Sequence, residues 1–215
     1  MRKELDKKTI VEEIIAAAEL YKNQLVGKKF LYVFDNRYIE VIYKASNFRH
    51  LTGVETNLSA KEFYKLAVKR KLQAKQIYFS AAHPFRLCKR KVKHISEIAS
   101  LAGTESFLLE EITTQTQTYK FGTTKLSFTL CFNKEYDVAG QEKSECYVVE
   151  SLRDEDCFAK SKNVFTVTHI FSKENDVKKY NNILYIDKNN SLEELPEDIK
   201  AMISEDLFSV EEETK

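Results

Sequence analysis

Apolar residues recur at helical spacing near the start of the chain. Ile10, Val11, Ile14, Ile15, Ala17, Ala18, Tyr21 and Leu25 fall on one face and predict a helix over 6–25. Asp6 or Thr9 can cap its start, and Gly27 ends it. The period then changes. KKFLYVF (28–34) and RYIEVIYK (37–44) are rich in β-branched and aromatic residues, and Asp35-Asn36 between them suits a tight turn, so the pair reads as a hairpin. Ser59 and Glu62 have the spacing of a capping box and open a helix whose stripe is Phe63, Leu66, Ala67 and Leu72. A second helix starts near Pro84, which only a first turn tolerates, and runs to about Leu101 with Val92, Ile95, Ile98 and Ala99 inward. Beyond it the pattern turns to strands at 107–112, 117–122, 125–133, 145–152, 163–171 and 182–187. In KLSFTLCFN (125–133), Leu126, Phe128, Leu130 and Phe132 alternate with residues pointing the other way. Helices early and strands late predict an α+β fold, with N-terminal helices packed on a twisted antiparallel sheet. The expected divisions are an N-terminal helix (1–27), a main domain (28–190) and an acidic C-terminal tail (191–215). The tail reads either as a short helix near 195–204 or as a mobile segment.

Composition narrows the class. With 43% apolar and 31% charged residues, the 215-residue chain can bury a core and stay soluble. No run approaches the ~18 apolar residues of a membrane helix. MRKELDKKTI lacks the apolar stretch and cleavage site of a signal peptide, so the expectation is a cytoplasmic protein with no membrane partner. Cys88, Cys131, Cys146 and Cys157 form no C-x-x-C pair and read as small buried side chains rather than zinc ligands. Five glycines and no phosphate-binding loop, H-E-x-x-H or G-x-S-x-G motif leave no cofactor and no metal expected.

Charge is unevenly spread. Residues 61–94 carry eleven lysines and arginines against one acid, Glu62, whereas residues 192–215 carry nine acids against Lys200 and Lys215. Such asymmetry suggests a polyanion-binding region and an acidic tail able to screen it. Arg86, Lys89, Arg90, Lys91 and Lys93 lie within ten residues and, with Arg49, are the nucleic-acid-binding candidates; Tyr64, Tyr78, Phe79 and Phe85 interleave with the cations as stacking surfaces.

Four histidines are candidates for acid–base work. His83 abuts Pro84 and His94 lies in the basic helix; both read as solvated or capping side chains. His169 alternates with Phe165, Val167 and Phe171 and reads as a core or edge histidine, or as an acid or base if that face opens on a cleft. His50, in NFRHLTGVE between a strand and a helix, is the strongest candidate. Loops held by rigid elements often place reactive groups, although a histidine that only fixes the turn fits the same sequence.

The series FLYVF, NFRHLTGVE, AKEFYKLA, LSFTLCF and VTHIFSK resembles the fourth subgroup of the phage Barnase–EndoU–Colicin–RelE-like (BECR) nucleases, over about residues 28–186. NFRHLTG with the FY helix behind it is its sharpest part. The resemblance implies a BECR-like nuclease fold and a phage- or prophage-derived, metal-independent endoribonuclease that cleaves RNA by transesterification through the 2′-hydroxyl. It implies a toxin-like enzyme or a phage counter-defence factor, with a host or antitoxin protein as a further partner. A non-catalytic module that binds nucleic acid or a host protein on the same fold is the alternative. His50 matches the family's HLTG position and is the expected base or acid. Thr52 is expected to orient it or hold the phosphate. Arg153 and His169 are further catalytic candidates as polar residues on late strands.

Overall fold

The computed structural model describes residues 2–101 and 104–212, with side chains over 6–98 and 104–209. Helix α1 (Arg2–Gln24) buries Ile10, Ile14, Ala17, Ala18 and Tyr21, the stripe its sequence predicts. Strands β1 (Lys28–Phe34) and β2 (Arg37–Ile42) pair antiparallel. Both residues of their turn have positive φ, 49° at Asp35 and 56° at Asn36, the mirror-image turn whose twist suits a hairpin. Next come the short helix α2 (Phe48–Thr52), α3 (Ala60–Val68) and α4 (Phe85–Leu101). Ser59 caps α3 by accepting the Glu62 N–H at 3.2 Å. In α4, Val92, Ile95 and Ile98 are buried as expected; the side chain of Ala99 lies outside the described residues.

The strands that follow are β3 (Phe107–Thr113), β4 (Thr118–Thr124), β5 (Thr129–Asn133), β6 (Tyr147–Arg153), β7 (Asn163–Thr166), β8 (His169–Glu174) and β9 (Asn182–Ile186). Together with the first hairpin they form one sheet in the order β7-β3-β4-β5-β6-β2-β1-β8-β9. The fold is α+β, and the sheet departs from the expected antiparallel pattern at one pair: β2 and β6 run parallel, with Val41 opposite Tyr147 and Ile42 opposite Val148. A parallel pair needs a long connection, and here all of α2, α3, α4 and β3–β5 lies between the two strands.

The sheet curls nearly onto itself. The expected single strand over 163–171 is split, because it changes partners: β7 pairs with β3, and β8 pairs with β1. Val167 and Thr168 carry the chain across, their N–H groups donating to Ser106 O (3.1 Å) and Val33 O (2.9 Å). Aromatic rings fill the enclosed space. Phe34 of β1 meets Phe121 of β4 at 6.1 Å between centroids, although three strands separate them in the hydrogen-bonded order, and meets Phe165 of β7 at 5.3 Å. The main core is continuous from this concave face to the inner stripes of α1, α3 and α4. The expected strand over 125–133 is also shortened. Leu126 has φ +69° and is 62% exposed, so residues 125–128 turn the chain and only Thr129–Asn133 is strand.

The acidic tail expected from Ser191 is instead built into the domain. Leu192, Leu195, Ile199 and Ile203 are buried against Leu31, Val33, Phe171 and Tyr180, on the face of the sheet away from the main core. The chain there forms α5 (Glu197–Lys200) and α6 (Asp206–Glu212), with Leu207 and Phe208 packed against the same cluster. Glu193, Glu194, Glu197, Asp198, Glu205 and Asp206 point outward while the apolar residues, spaced three and four apart, cover the sheet. A screen over the basic helix is therefore not where this segment lies. The N-terminal helix is likewise part of the main core rather than a separate unit.

Candidate active site

The cavity around His50 begins where β2 ends. After the two parallel pairs with β6 the chain leaves the sheet, and Asn47 Nδ2 donates to Val149 O at 2.9 Å, occupying an acceptor left on β6. Helix α2 follows. Phe48, Leu51 and Thr52 are its buried face, and Arg49 and His50 stand outward. Burying Phe48 and Leu51 contributes about 1.5–3 kcal/mol each, enough to pin so short a helix. Gly53 ends it with φ +70°, donating its N–H to His50 O at 3.2 Å.

The expected phosphate role for Thr52 does not fit this geometry. Its side chain is fully buried, Oγ1 donates to Arg49 O at 2.7 Å and accepts the Val54 N–H at 3.3 Å. Thr52 fixes the turn that aims His50. Arg49 is held by a bond from Nη1 to Leu58 O at 3.0 Å.

Helix α4 supplies the opposite wall. The Cys88 thiol donates to Gly53 O at 3.2 Å, and Lys91 Cδ lies 3.0 Å from the point a Cβ on residue 53 would occupy. Glycine suits this position through its left-handed backbone, and a Cβ there would also push the lysine stem aside by a few tenths of an ångström. The basic stretch divides by helical phase. Lys91 faces the His50 cavity, whereas Arg86, Lys89, Arg90 and Lys93 line a separate groove of about 530 Å³ between α4 and α1. Arg90 there pairs with Asp154, which also accepts from His94 Nε2 at 2.9 Å.

His83 enters the same cavity as His50, from the loop before α4. The loop is tied to the strand-like segment after Gly53 by reciprocal backbone bonds between Glu55 and Tyr78. His83 Nδ1 lies 3.1 Å from Glu55 Oε1, and the same carboxylate oxygen accepts from the Ser80 hydroxyl. These two hydrogen bonds hold the Glu55 carboxyl below its usual pKa. A carboxylate at Nδ1 fixes the ring and its tautomer, leaving Nε2 for a ligand.

Arg49, His50, Glu55, Tyr78, His83 and Lys91 surround a cavity of about 230 Å³. Surrounding protein atoms and then the charges of Lys91, Arg153, Arg49 and His83 lower the pKa of His50. Burial, then Arg153, lowers that of Lys91. The cavity is therefore cationic, and one imidazole in it is biased to its neutral form.

Two late-strand candidates separate. Arg153, at the end of β6, is close enough for its charge to act on both His50 and Lys91, and its Nη2 donates to Tyr119 OH at 3.0 Å. His169 is not part of this cavity. It is 2% exposed, on the opposite face of the sheet beneath the C-terminal segment, with Nε2 3.3 Å from Ser191 O and Nδ1 3.0 Å from Thr168 Oγ1. Its alternation with Phe171 marks it as inward-facing, and the inside it faces is the second core.

Two histidines and several cations thus lie around one cleft of this α+β domain. The model of the phage-Barnase-EndoU-ColicinE5/D-RelE like nuclease4 family matches residues 13–189, and the chain belongs to this nuclease family. No curated protein and no solved structure gives a significant match. Among the described residues, no helix is long and apolar enough to cross a membrane.

Proposed function

We propose that the cleft is the active site of an endoribonuclease of phage or prophage origin, working in the cytoplasm by transesterification through the 2′-hydroxyl. The observation that carries this reading is the pair of imidazoles, His50 and His83, in one cavity with Lys91. Neutral His50 takes the 2′-hydroxyl proton, and O2′ attacks the adjacent phosphorus. Lys91, Arg49 and Arg153 neutralise the charge that builds on the phosphorane oxygens. The P–O5′ bond breaks as His83, protonated and paired with Glu55, gives its proton to O5′. The products are a 2′,3′-cyclic phosphate and a free 5′-hydroxyl. All atoms and protons come from the RNA and the side chains named. The strip Arg86, Lys89, Lys93 on the outer side of α4 offers the RNA backbone further phosphate contacts.

Incubating the full chain with labelled tRNA and rRNA in EDTA tests the reading. Cleavage to cyclic-phosphate ends is expected, with His50→Ala and His83→Ala each slowing it about 10²–10⁴-fold. Binding without cleavage would favour a non-catalytic module. Parental rates in both variants would remove the assignment.

A further inference from the structure

Arg90 and His94 stand outside the chemistry of the cleft, and both serve one residue. Asp154 follows Arg153 at the end of β6, and its side chain is 16% exposed. Its Oδ1 accepts from His94 Nε2 at 2.9 Å, and its Oδ2 accepts from Arg90 Nε. Burial raises the pKa of this carboxyl, and the bonds from Arg90 and His94 more than offset it, leaving it below the usual value. The histidine is fixed as well. Its ring stacks on Phe128 at 4.7 Å, and its Nδ1 lies 3.2 Å from Glu97 Oε2. Phe128 is buried and precedes Thr129, which stands opposite Arg153 in the β5–β6 ladder. Helix α4 thus grips one corner of the sheet twice, by a charged clasp on Asp154 and by a ring stack beside it.

This corner carries two cations that repel. Lys91 is the residue after Arg90, and Arg153 is the residue before Asp154. The charge of Arg153 lowers the Lys91 pKa, second only to burial, so the two are near enough to oppose each other. Arg153 Nη2 donates to Tyr119 OH at 3.0 Å, and its Nε is buried with no hydrogen-bond partner among the described residues. The bond to Tyr119 orients the guanidinium, and the backbone at 153 sets how near it stands to Lys91. The clasp ties the two backbones together one residue away from each cation. Its carboxylate also acts on Lys91, favouring the charged amine.

We propose that Asp154 is a positioning residue for the cleft: clasped to α4 by Arg90 and His94, it holds Arg153 within reach of Lys91 and His50 against the repulsion of the cations. The proposal rests on the nuclease reading for its purpose and on the clasp for its geometry. Arg90, a phosphate-contact candidate by sequence, and His94, a solvated one, are the two arms of that clasp.

The test is an NMR pH titration of the His50 ring in the full chain without RNA, its signal assigned by its loss in His50→Ala. Arg49, Glu55, Tyr78, His83, Lys91 and Arg153 are the charged and titratable groups around that ring, and Arg153 is one of the cations that lower its pKa. Asp154→Ala is expected to let Arg153 move away and so to shift the His50 midpoint to higher pH. The direct charge effect has the opposite sign, since removing an anion and freeing the Arg90 charge would move the midpoint lower. In an Arg153→Met background, Asp154→Ala should give no rise. Asp154→Glu, which keeps the carboxylate, should shift the midpoint less than Asp154→Ala. Removing one partner of a partly buried ion pair can impair folding, so the charge-neutral double variant Arg90→Ala/Asp154→Ala is measured beside it and should shift the same way. A midpoint that stays or falls in both chains overturns the proposal, as does a rise that persists in Arg153→Met. RNA cleavage is scored separately. Where the parent cleaves, Asp154→Ala should slow the step at saturating RNA by up to about 10²-fold, and no further than Arg153→Met does. An unchanged rate there also overturns the proposal. A parent that never cuts RNA defeats the nuclease reading, and a raised His50 midpoint then leaves the clasp standing.

Discussion

Removing residues 188–215 is a severe test of the C-terminal packing. The deletion takes away Leu192, Leu195, Ile199 and Ile203, each 5% exposed or less. Burial of such side chains contributes about 1.5–3 kcal/mol apiece, so the four together supply about 6–12 kcal/mol. The whole fold of a typical domain is stable by only about 5–15 kcal/mol. The loss goes further than these four. Leu31, Val33, Phe171 and Tyr180 become exposed, the backbone bonds of Tyr180 to Met202 and Ser204 (2.8 Å each) disappear, and His169 loses Ser191 O. At a urea slope of about 3 kcal/mol per molar, a loss of 6 kcal/mol lowers the unfolding midpoint by about 2 M. The truncated chain is therefore expected to be largely unfolded or aggregated at 25 °C, as read by circular dichroism and urea titration. Ile199→Ala, a milder cut into the same cluster, should cost about 2–5 kcal/mol. A truncated chain with the parental midpoint would refute the packing and restore the acidic segment as a separable tail.

Two further outcomes follow from the site and the sheet. Because His50 is held below its ordinary value of 6.5 by burial and by neighbouring cations, the acid limb of kcat/KM should fall below pH 6.5. Lys91→Met removes one of those cations and should move the limb to higher pH. The same depressed pKa makes His50 contribute stability above its unfolded pKa and lose it as pH falls through the folded value. A limb that stays in place in Lys91→Met would show that the lysine does not act on His50. In the sheet, Gly122→Ala should destabilise by about 1–3 kcal/mol, since its Cβ would meet Ile112 Cδ1 at 2.5 Å and the backbone oxygen of Leu130 at 2.7 Å. A urea midpoint equal to the parent's would show that β4 and β5 are less closely packed there.

What the sequence discloses is what periodicity can carry. The stripe of α1, the turn at Asp35-Asn36 and the cap at Ser59 are local, and each sits where its residues predict. The strand boundaries at 125–133 and 163–171 are tertiary. Alternation continues through Leu126 and through Val167–Thr168, but the first is spent in a turn and the second hands the chain from β3 to β1. The C-terminal helix is half legible: Leu192, Leu195, Ile199 and Ile203 have helical spacing, though the surrounding acids give the segment the composition of a tail. The site divides in the same way. His50 stands out because two elements with clear signals flank it. The split of the basic helix is also available at about 100° per residue, which groups positions 86, 89, 90 and 93 and sets Lys91 beside Cys88 and Ile95. His83 carries no such signal. Its partner Glu55 is 28 positions away, and only the paired backbone of Glu55 and Tyr78 brings the two together. A histidine earns a chemical role from the carboxylate that orients it, and that carboxylate is chosen by the fold. For this reason His50, the strongest acid–base candidate found by pattern, acquires its partner His83 only where the loop before α4 closes on the segment after Gly53.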